Sequence, residues 1–214
     1  MSSPPAITPP IRAVVFDLGD VFFPWPQAAF FARWEARLGI TPHGLHRMLS
    51  HGPDIEAANV GAVTAEEYAR RCARRLRADQ TLVRELIEAA FAGEPINAAL
   101  VTYARSLRSR VRLAALTNTW SFGRTLIQRR GITALFDLIV TSAEEGVTKP
   151  DARNYQTMLD RLCIRPAEAV FIDDNNENVE APRATGIRSI LFVTNEQTIA
   201  DLEALLVRCG SARD

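Results

Sequence analysis

The chain carries two hydrophobic textures. Short apolar runs with little or no charge, Ala13-Val14-Val15-Phe16, Val111-Arg112-Leu113-Ala114-Ala115-Leu116, Phe136-Asp137-Leu138-Ile139-Val140, Ala169-Val170-Phe171-Ile172 and Ser189-Ile190-Leu191-Phe192-Val193, read as buried strands. Between them, apolar residues recur at three- and four-residue spacings, the signature of helices with one buried face. The first strand stands alone: after Pro24-Trp25-Pro26 no strand-like run occurs until beyond Phe91. Residues 27 to 38 place Phe30, Phe31, Trp34 and Leu38 on one stripe, and Thr41-Pro42 opens a second helix carrying Leu45 and Leu49. Thr64 and Glu67 form a predicted capping box, each satisfying a free amide, before a third helix through Tyr68, Cys72 and Leu76. Leu82, Leu86, Ile87 and Phe91 predict a fourth.

Beyond Gly93-Glu94-Pro95, helix and strand alternate. A helical stripe from Ile96 to Leu107 precedes the strand ending at Thr117-Asn118, and a helix over about 121 to 130 precedes the strand at 136–140. A helix with Asp151 in its first turn leads to the strand ending at Asp173-Asp174; another helix, the strand at 189–193 and a last helix near 196 to 208 follow. Repeated strand-helix-strand units predict an α/β fold: a Rossmann-like parallel sheet with helices on both faces, joined by right-handed crossovers. A helical cap interrupts it after the first strand. The expected division is a tail at 1–10, an α/β core from 11–23 and 94–214, and an α-helical cap at 24–93.

Composition narrows the picture by exclusion. With 25 basic and 25 acidic residues in 214, no overall field points to nucleic acid or an anionic membrane surface. The arginines at 70, 71, 74, 75 and 77 fit the solvated side of one helix. Cys72, Cys163 and Cys209 stand in no ligand or redox spacing, so a reducing, cytoplasmic setting is expected. No apolar run approaches membrane-spanning length, and the proline-rich first ten residues predict a disordered tail.

Three strands end on polar residues, at Asp17, Thr117-Asn118 and Asp173-Asp174, and Lys149-Pro150 lies in the loop after the strand near Val140. In a parallel sheet these carboxyl ends share one edge, where open α/β sheets bind ligands. Singly, each has a plainer role: Thr117 and Asn118 as turn or cap, Lys149 as ordinary loop, Asp173-Asp174 as cap of the helix near Asn175. Their common edge is what points to a site. Clustered carboxylates repel unless cations sit among them, and with no His or Cys at these positions the fitting ion is Mg²⁺. A carboxylate nucleophile, Mg²⁺, an ammonium, and hydroxyl or amide donors are the parts that phosphoryl transfer needs.

The segments Phe16-Asp17-Leu18-Gly19-Asp20-Val21, Leu116-Thr117-Asn118, Thr148-Lys149-Pro150-Asp151 and Phe171-Ile172-Asp173-Asp174 with Asn178-Val179 resemble, in this order, the four motifs of the haloacid dehalogenase-like superfamily. The resemblance covers nearly the whole chain after residue 10, including a helical insert of the C1 cap type. It is strongest to the small-metabolite phosphatases that include the N-terminal domain of soluble epoxide hydrolase and certain sugar-phosphate phosphatases. It implies a Mg²⁺-dependent phosphoric monoester hydrolase acting on a small phosphorylated metabolite, with Asp17 as nucleophile. Thr117 and Asn118 would hold the phosphoryl oxygens, Lys149 would steady nucleophile and phosphate, and Asp17, the Gly19 carbonyl, Asp173 and Asp174 would bind Mg²⁺.

One position departs from that pattern. Family phosphatases usually have an acid-base Asp two residues after the nucleophile; here Gly19 stands there and Asp20 follows. Either Asp20 supplies the proton, or Gly19 takes a positive φ and Asp20 bonds to its own turn. The alternative function is therefore a slow or non-catalytic phosphate-binding protein. Haloacid dehalogenation is a further alternative, disfavoured because dehalogenases tend to carry Ser-Ser-Asn where Asp173-Asp174-Asn175 stands, and a Tyr in place of Gly19. In the insert, Trp25, Trp34, His43, His46, Arg47 and His51 are candidates to face substrate, against core packing for the tryptophans and ordinary surface for the histidines.

Overall fold

A computed structural model describes residues 9–40, 44–92 and 95–210 of the chain, without the side chains of 91–92 and 208–210. The predicted tail, His43 and the Thr41-Pro42 helix start lie largely or wholly outside those residues. Five strands, β1 (Ala13–Phe16), β2 (Arg112–Thr117), β3 (Leu138–Thr141), β4 (Ala169–Asp173) and β5 (Arg188–Leu191), form one parallel sheet in the order β3-β2-β1-β4-β5. Between β1 and β2 come α1 (Ala28–Leu38), α2 (Leu45–Ser50), α3 (Pro53–Asn59), α4 (Ala65–Leu76), α5 (Gln80–Ala92) and α6 (Ala98–Leu107). The rest of the chain supplies α7 (Gly123–Arg129), α8 (Ser142–Glu145), α9 (Ala152–Leu162), α10 (Asn176–Arg183) and α11 (Asn195–Gly210).

The sheet is buried on both faces because strand side chains alternate. Val14, Phe16, Leu113, Ala115, Val170 and Ile172 pack with Leu100, Ala104 and Leu107 of α6 and Leu202 of α11. Their neighbours Ala13, Val15, Ala114, Leu116 and Phe171 pack on the other side with Tyr155, Met158, Leu159 and Leu162 of α9. A third cluster is helical: Phe31, Leu45, Met48, Leu49, Ile55, Tyr68, Cys72, Val83 and Leu86, with Trp120 entering it from the loop after β2. Trp120 meets Tyr68 edge-on at 5.0 Å. Gly61 brings the helical segment against α8; with φ of 68° and a Cβ that would lie 2.3 Å from the Ala143 carbonyl oxygen, the position admits only glycine. The Ala65 amide also donates to Ser121 Oγ at 3.1 Å.

Several local expectations are corrected. The helices α3 and α8 had no expected counterpart. The Phe136–Val140 run pairs only from Leu138 to Thr141, while Phe136 turns into the core, and the 189–193 run leaves the sheet after Leu191, with Val193 66% exposed. Thr64 Oγ1 does cap α4 by accepting from the Glu67 amide at 3.1 Å, but the Glu67 carboxylate accepts from Arg70 and Arg71. No helix among the described residues is long and apolar enough to cross a membrane.

Candidate active site

The two central strands deliver the carboxylates. The Asp17 amide continues the ladder by donating to the Ile172 carbonyl at 2.8 Å, so Asp17 stands at the carboxyl end of β1 beside Asp173 on β4. Lys149, from the loop between α8 and α9, reaches between them: its Nζ lies 2.8 Å from Asp17 Oδ1 and 2.6 Å from Asp173 Oδ2. The Lys149 side chain is 1% exposed and that of Asp173 wholly buried, whereas Asp17 opens slightly at 11%. Asp173 Oδ1 also accepts from the Asn175 amide at 2.9 Å and from Asn178 Nδ2 at 3.0 Å. Asn175, not Asp173 or Asp174, caps α10.

The Asn118 side chain is tied to the protein backbone. Its Oδ1 accepts from the Lys149 amide at 2.8 Å and its Nδ2 donates to the Lys149 carbonyl at 2.9 Å, a two-point clamp on that backbone. The structure thus engages both ends of the Asn118 amide in holding Lys149. Thr117, at the end of β2, is buried, and two residues on, the Thr119 backbone exchanges hydrogen bonds with Ser142 Oγ, its amide donating and its carbonyl accepting.

The electrostatics reflect a shortage of positive charge. Burial raises the Asp17 pKa, and Asp173 adds to the rise; Lys149 pulls the other way without cancelling it. Burial works to lower Lys149, but Asp17 and Asp173 outweigh it and hold the ammonium above its ordinary value. Asp174 is exposed at its outer side, yet the desolvation it does suffer, followed by repulsion from Asp17, Asp173 and Asp20, pushes it up to about 7. One carboxylate oxygen from each of Asp17, Asp173 and Asp174 lies within 4.8 Å of the others, an all-oxygen group suited to a hard divalent cation.

The loop after β1 differs from the expected backbone at Gly19. Asp20, not Gly19, has the left-handed backbone, at φ 50°. Its Oδ1 accepts from the Trp25 amide at 2.8 Å, so its carboxylate ties the loop to the start of the helical segment. The Gly19 carbonyl accepts from the Val21 amide at 2.6 Å, leaving its second lone pair. A cavity of about 430 Å³ opens beside this loop, between the sheet edge and the helical segment. Gly19, Asp20, Thr117 and Asn118 line it from the sheet side, and Trp25, His46 and His51 from the insert. Trp34 instead packs in the helical cluster under Arg37, whose guanidinium lies 4.7 Å from its ring, and Arg47 is exposed outside the cavity. Trp120, Leu126, Ile127 and Arg130 line it too, and nothing in their sequence spacing marks them.

A family model for haloacid dehalogenase-like hydrolases matches residues 107–192. Phosphatase MT3486 of Mycobacterium tuberculosis is 30% identical over 210 residues, covering 91% of this chain and 95% of the relative. The chain belongs to the haloacid dehalogenase-like hydrolases. Bifunctional epoxide hydrolase 2 of Sus scrofa is 28% identical over 90% of this chain. The chain spans 38% of that relative's length and 19% of mouse acyl-CoA dehydrogenase family member 10, so it corresponds to one part of each. Among solved structures, a HAD-like family hydrolase of Porphyromonas gingivalis superposes with TM-score 0.75 at 25% identity, over 92% of this chain and 98% of that one. A Bacteroides thetaiotaomicron HAD family enzyme in complex with magnesium and inorganic phosphate superposes at 0.75 and 15% identity, over 86% and 96%. A 2-haloacid dehalogenase of Pseudomonas syringae does so at 0.66 and 19%, over 92% and 99%. The last two likenesses concern the fold alone.

Proposed function

We propose that this hydrolase is a Mg²⁺-dependent phosphoric monoester hydrolase acting on a small phosphorylated metabolite through an aspartyl-phosphate, in the cytoplasm. The observation that carries the reading is the cluster of Asp17, Asp173 and Asp174, with the Lys149 ammonium between the first two and Asp17 next in the chain to Leu18, Gly19 and Asp20, which line a cavity. Three carboxylates against Lys149 leave two surplus negative charges, which one Mg²⁺ balances. The phosphatase relative, and the magnesium and phosphate held by a protein of the same fold, support the same reading.

In the first step an Asp17 carboxylate oxygen attacks phosphorus, the ester P–O bond breaks, and its electron pair leaves with the alcohol oxygen, which takes up a proton. Water then attacks the phosphoryl group, freeing inorganic phosphate and regenerating Asp17. Lys149 orients Asp17 and meets phosphoryl charge, Thr117 and the backbone amide of Asn118 hold phosphoryl oxygens, and the Asn118 side chain keeps Lys149 in place. Asp17, the Gly19 carbonyl, Asp173 and Asp174 would hold Mg²⁺, which when bound supplies positive charge to the phosphoryl oxygens. Residues 24–93 act as the cap that keeps bulk water from the phosphate.

Asp17→Asn is expected to abolish phosphate release from an aryl phosphate while its circular dichroism stays native. Wild-type release in that variant removes Asp17 from the nucleophile role. Gly19 favours a second reading, a phosphate-binding protein with little turnover; Mg²⁺-dependent ligand binding by the wild type with no phosphate release selects it.

A further inference from the structure

We infer that the alcohol portion of the substrate is a hydrocarbon, aliphatic or aromatic, rather than a sugar or other polyol. The inference rests on the phosphatase reading for the anionic end of the ligand and on the cavity for the rest.

The cavity has the size of pockets that enclose a small organic ligand, about 430 Å³. Its walls are set by Trp25, Leu49, Ile55, Trp120, Leu126 and Ile127, drawn from both the helical segment and the loop and helix after β2. Leu49, Ile55 and Trp120 belong to the helical core cluster and Ile127 to the sheet core, so these walls are continuous with packed interior.

Several of the polar groups on the same walls are engaged elsewhere, although His51, Asn59 and Thr119 line the cavity too. Both ends of the Asn118 amide hold the Lys149 backbone. Asp20 Oδ1 accepts from the Trp25 amide, and the Ser50 hydroxyl donates to the His46 carbonyl at 2.6 Å. The His46 ring is T-shaped to both Phe31, at 5.1 Å, and Trp25, at 6.4 Å, an aromatic setting. Arg130 lies over the Phe23 ring at 4.8 Å, presenting its stacked face to that side chain. A polyol laid along the Trp25, Leu49, Ile55, Trp120, Leu126 and Ile127 walls would give up water hydrogen bonds with no replacement from those side chains' hydrocarbon surfaces, and each unmade bond is costly. A hydrocarbon loses nothing of that kind and gains from every methylene removed from water.

The test is equilibrium binding of n-alkyl phosphates, from ethyl to octyl, to the Asp17→Asn protein with Mg²⁺, with glucose 6-phosphate and glycerol 3-phosphate alongside. The expected result is a Kd that falls about threefold per added methylene until the cavity is filled, with both polyol phosphates weaker than hexyl phosphate. A Kd independent of chain length, or tighter binding of either polyol phosphate, overturns the inference. Leu126 is half-buried on α7, and Leu126→Gln should reduce the octyl-over-ethyl preference about tenfold; an unchanged preference also counts against it. Because binding is read in a protein that cannot turn over, failure of phosphate release in the wild type would refute the phosphatase reading without touching this result.

Discussion

Gly19→Asp is predicted to accelerate hydrolysis of esters with poor leaving groups. The position has room: a Cβ built on Gly19 meets only Asp17 Oδ2 within 4 Å, at 3.9 Å, an ordinary contact. Gly19 is not in the left-handed region, so an Asp there carries no backbone strain. The new carboxyl would stand beside Asp17, in a metal-free site where burial first and then the neighbouring acids push Asp174 up to about 7. A carboxyl at this position is placed to give a proton to the leaving alcohol oxygen and to take one back from the attacking water. A positioned acid-base group is worth about 10²–10⁴ in rate, or about 3–5 kcal/mol of barrier. The gain should approach that range for ethyl phosphate and stay below about tenfold for p-nitrophenyl phosphate, whose leaving group needs no proton. The assay is steady-state phosphate release with saturating Mg²⁺, with Gly19→Asn as the control of equal size that cannot donate. An ethyl phosphate rate unchanged in Gly19→Asp, with fold and Mg²⁺ binding intact, refutes the idea that a missing acid limits this enzyme. Equal gains in Gly19→Asn and Gly19→Asp refute it as well.

Two further substitutions separate charge balance from chemistry. Lys149→Ala leaves Asp17 and Asp173 buried without their cation and should cost about 3–5 kcal/mol in urea unfolding without metal, part of it recovered by Mg²⁺; a loss below about 1 kcal/mol refutes the pairing as a stabilising one. Asp20→Asn keeps an acceptor for the Trp25 amide and tolerates φ 50°, so phosphate release should stay within about twofold of wild type, whereas Asp20→Ala should lower both Tm and rate; abolished release in Asp20→Asn would make Asp20 the proton donor.

The sheet and its charged edge were legible because one physical contrast marks them. A strand buried on both faces must be apolar throughout, so an acid at its end stands out, as Asp17 just after β1 and Asp173 at the last position of β4 do. Asn118 shows where that contrast ends. Its position after β2 was visible, but the partner of its amide is Lys149, 31 residues away, and no local pattern encodes that pairing. Trp120 is similar: a tryptophan in a loop carries no periodicity, and only the fold shows it inserted among the helices of the preceding segment. The short helices α3 and α8 offer too few turns for a stripe to emerge, with two buried residues apiece at most. On α7 a helix was expected, but no stripe marked Ile127 as its inward side. Whether Leu126 beside it faces a cavity depends on what α2 and α3 place opposite.

The same charge arithmetic separates phosphate from halide chemistry on one fold. A 2-haloacid brings its own carboxylate, and a metal-free site for it must offer net positive charge. Here Asp173 and Asp174 stand where neutral side chains would serve, and Lys149 is already shared between Asp17 and Asp173. Against the surplus negative charge present when these acids are ionised, a haloacid anion approaching Asp17 is repelled, and beside the buried Asp17 and Asp173 solvent screens that repulsion only weakly. A phosphate monoester carries more charge still, yet it arrives at a site whose extra carboxylates can hold the divalent cation that neutralises them. The two acids that make the site hostile to a bare anion are thus the ones that fit it to a metal-bound phosphate. Replacing them with neutral residues would remove the reason for the metal together with the means of holding it.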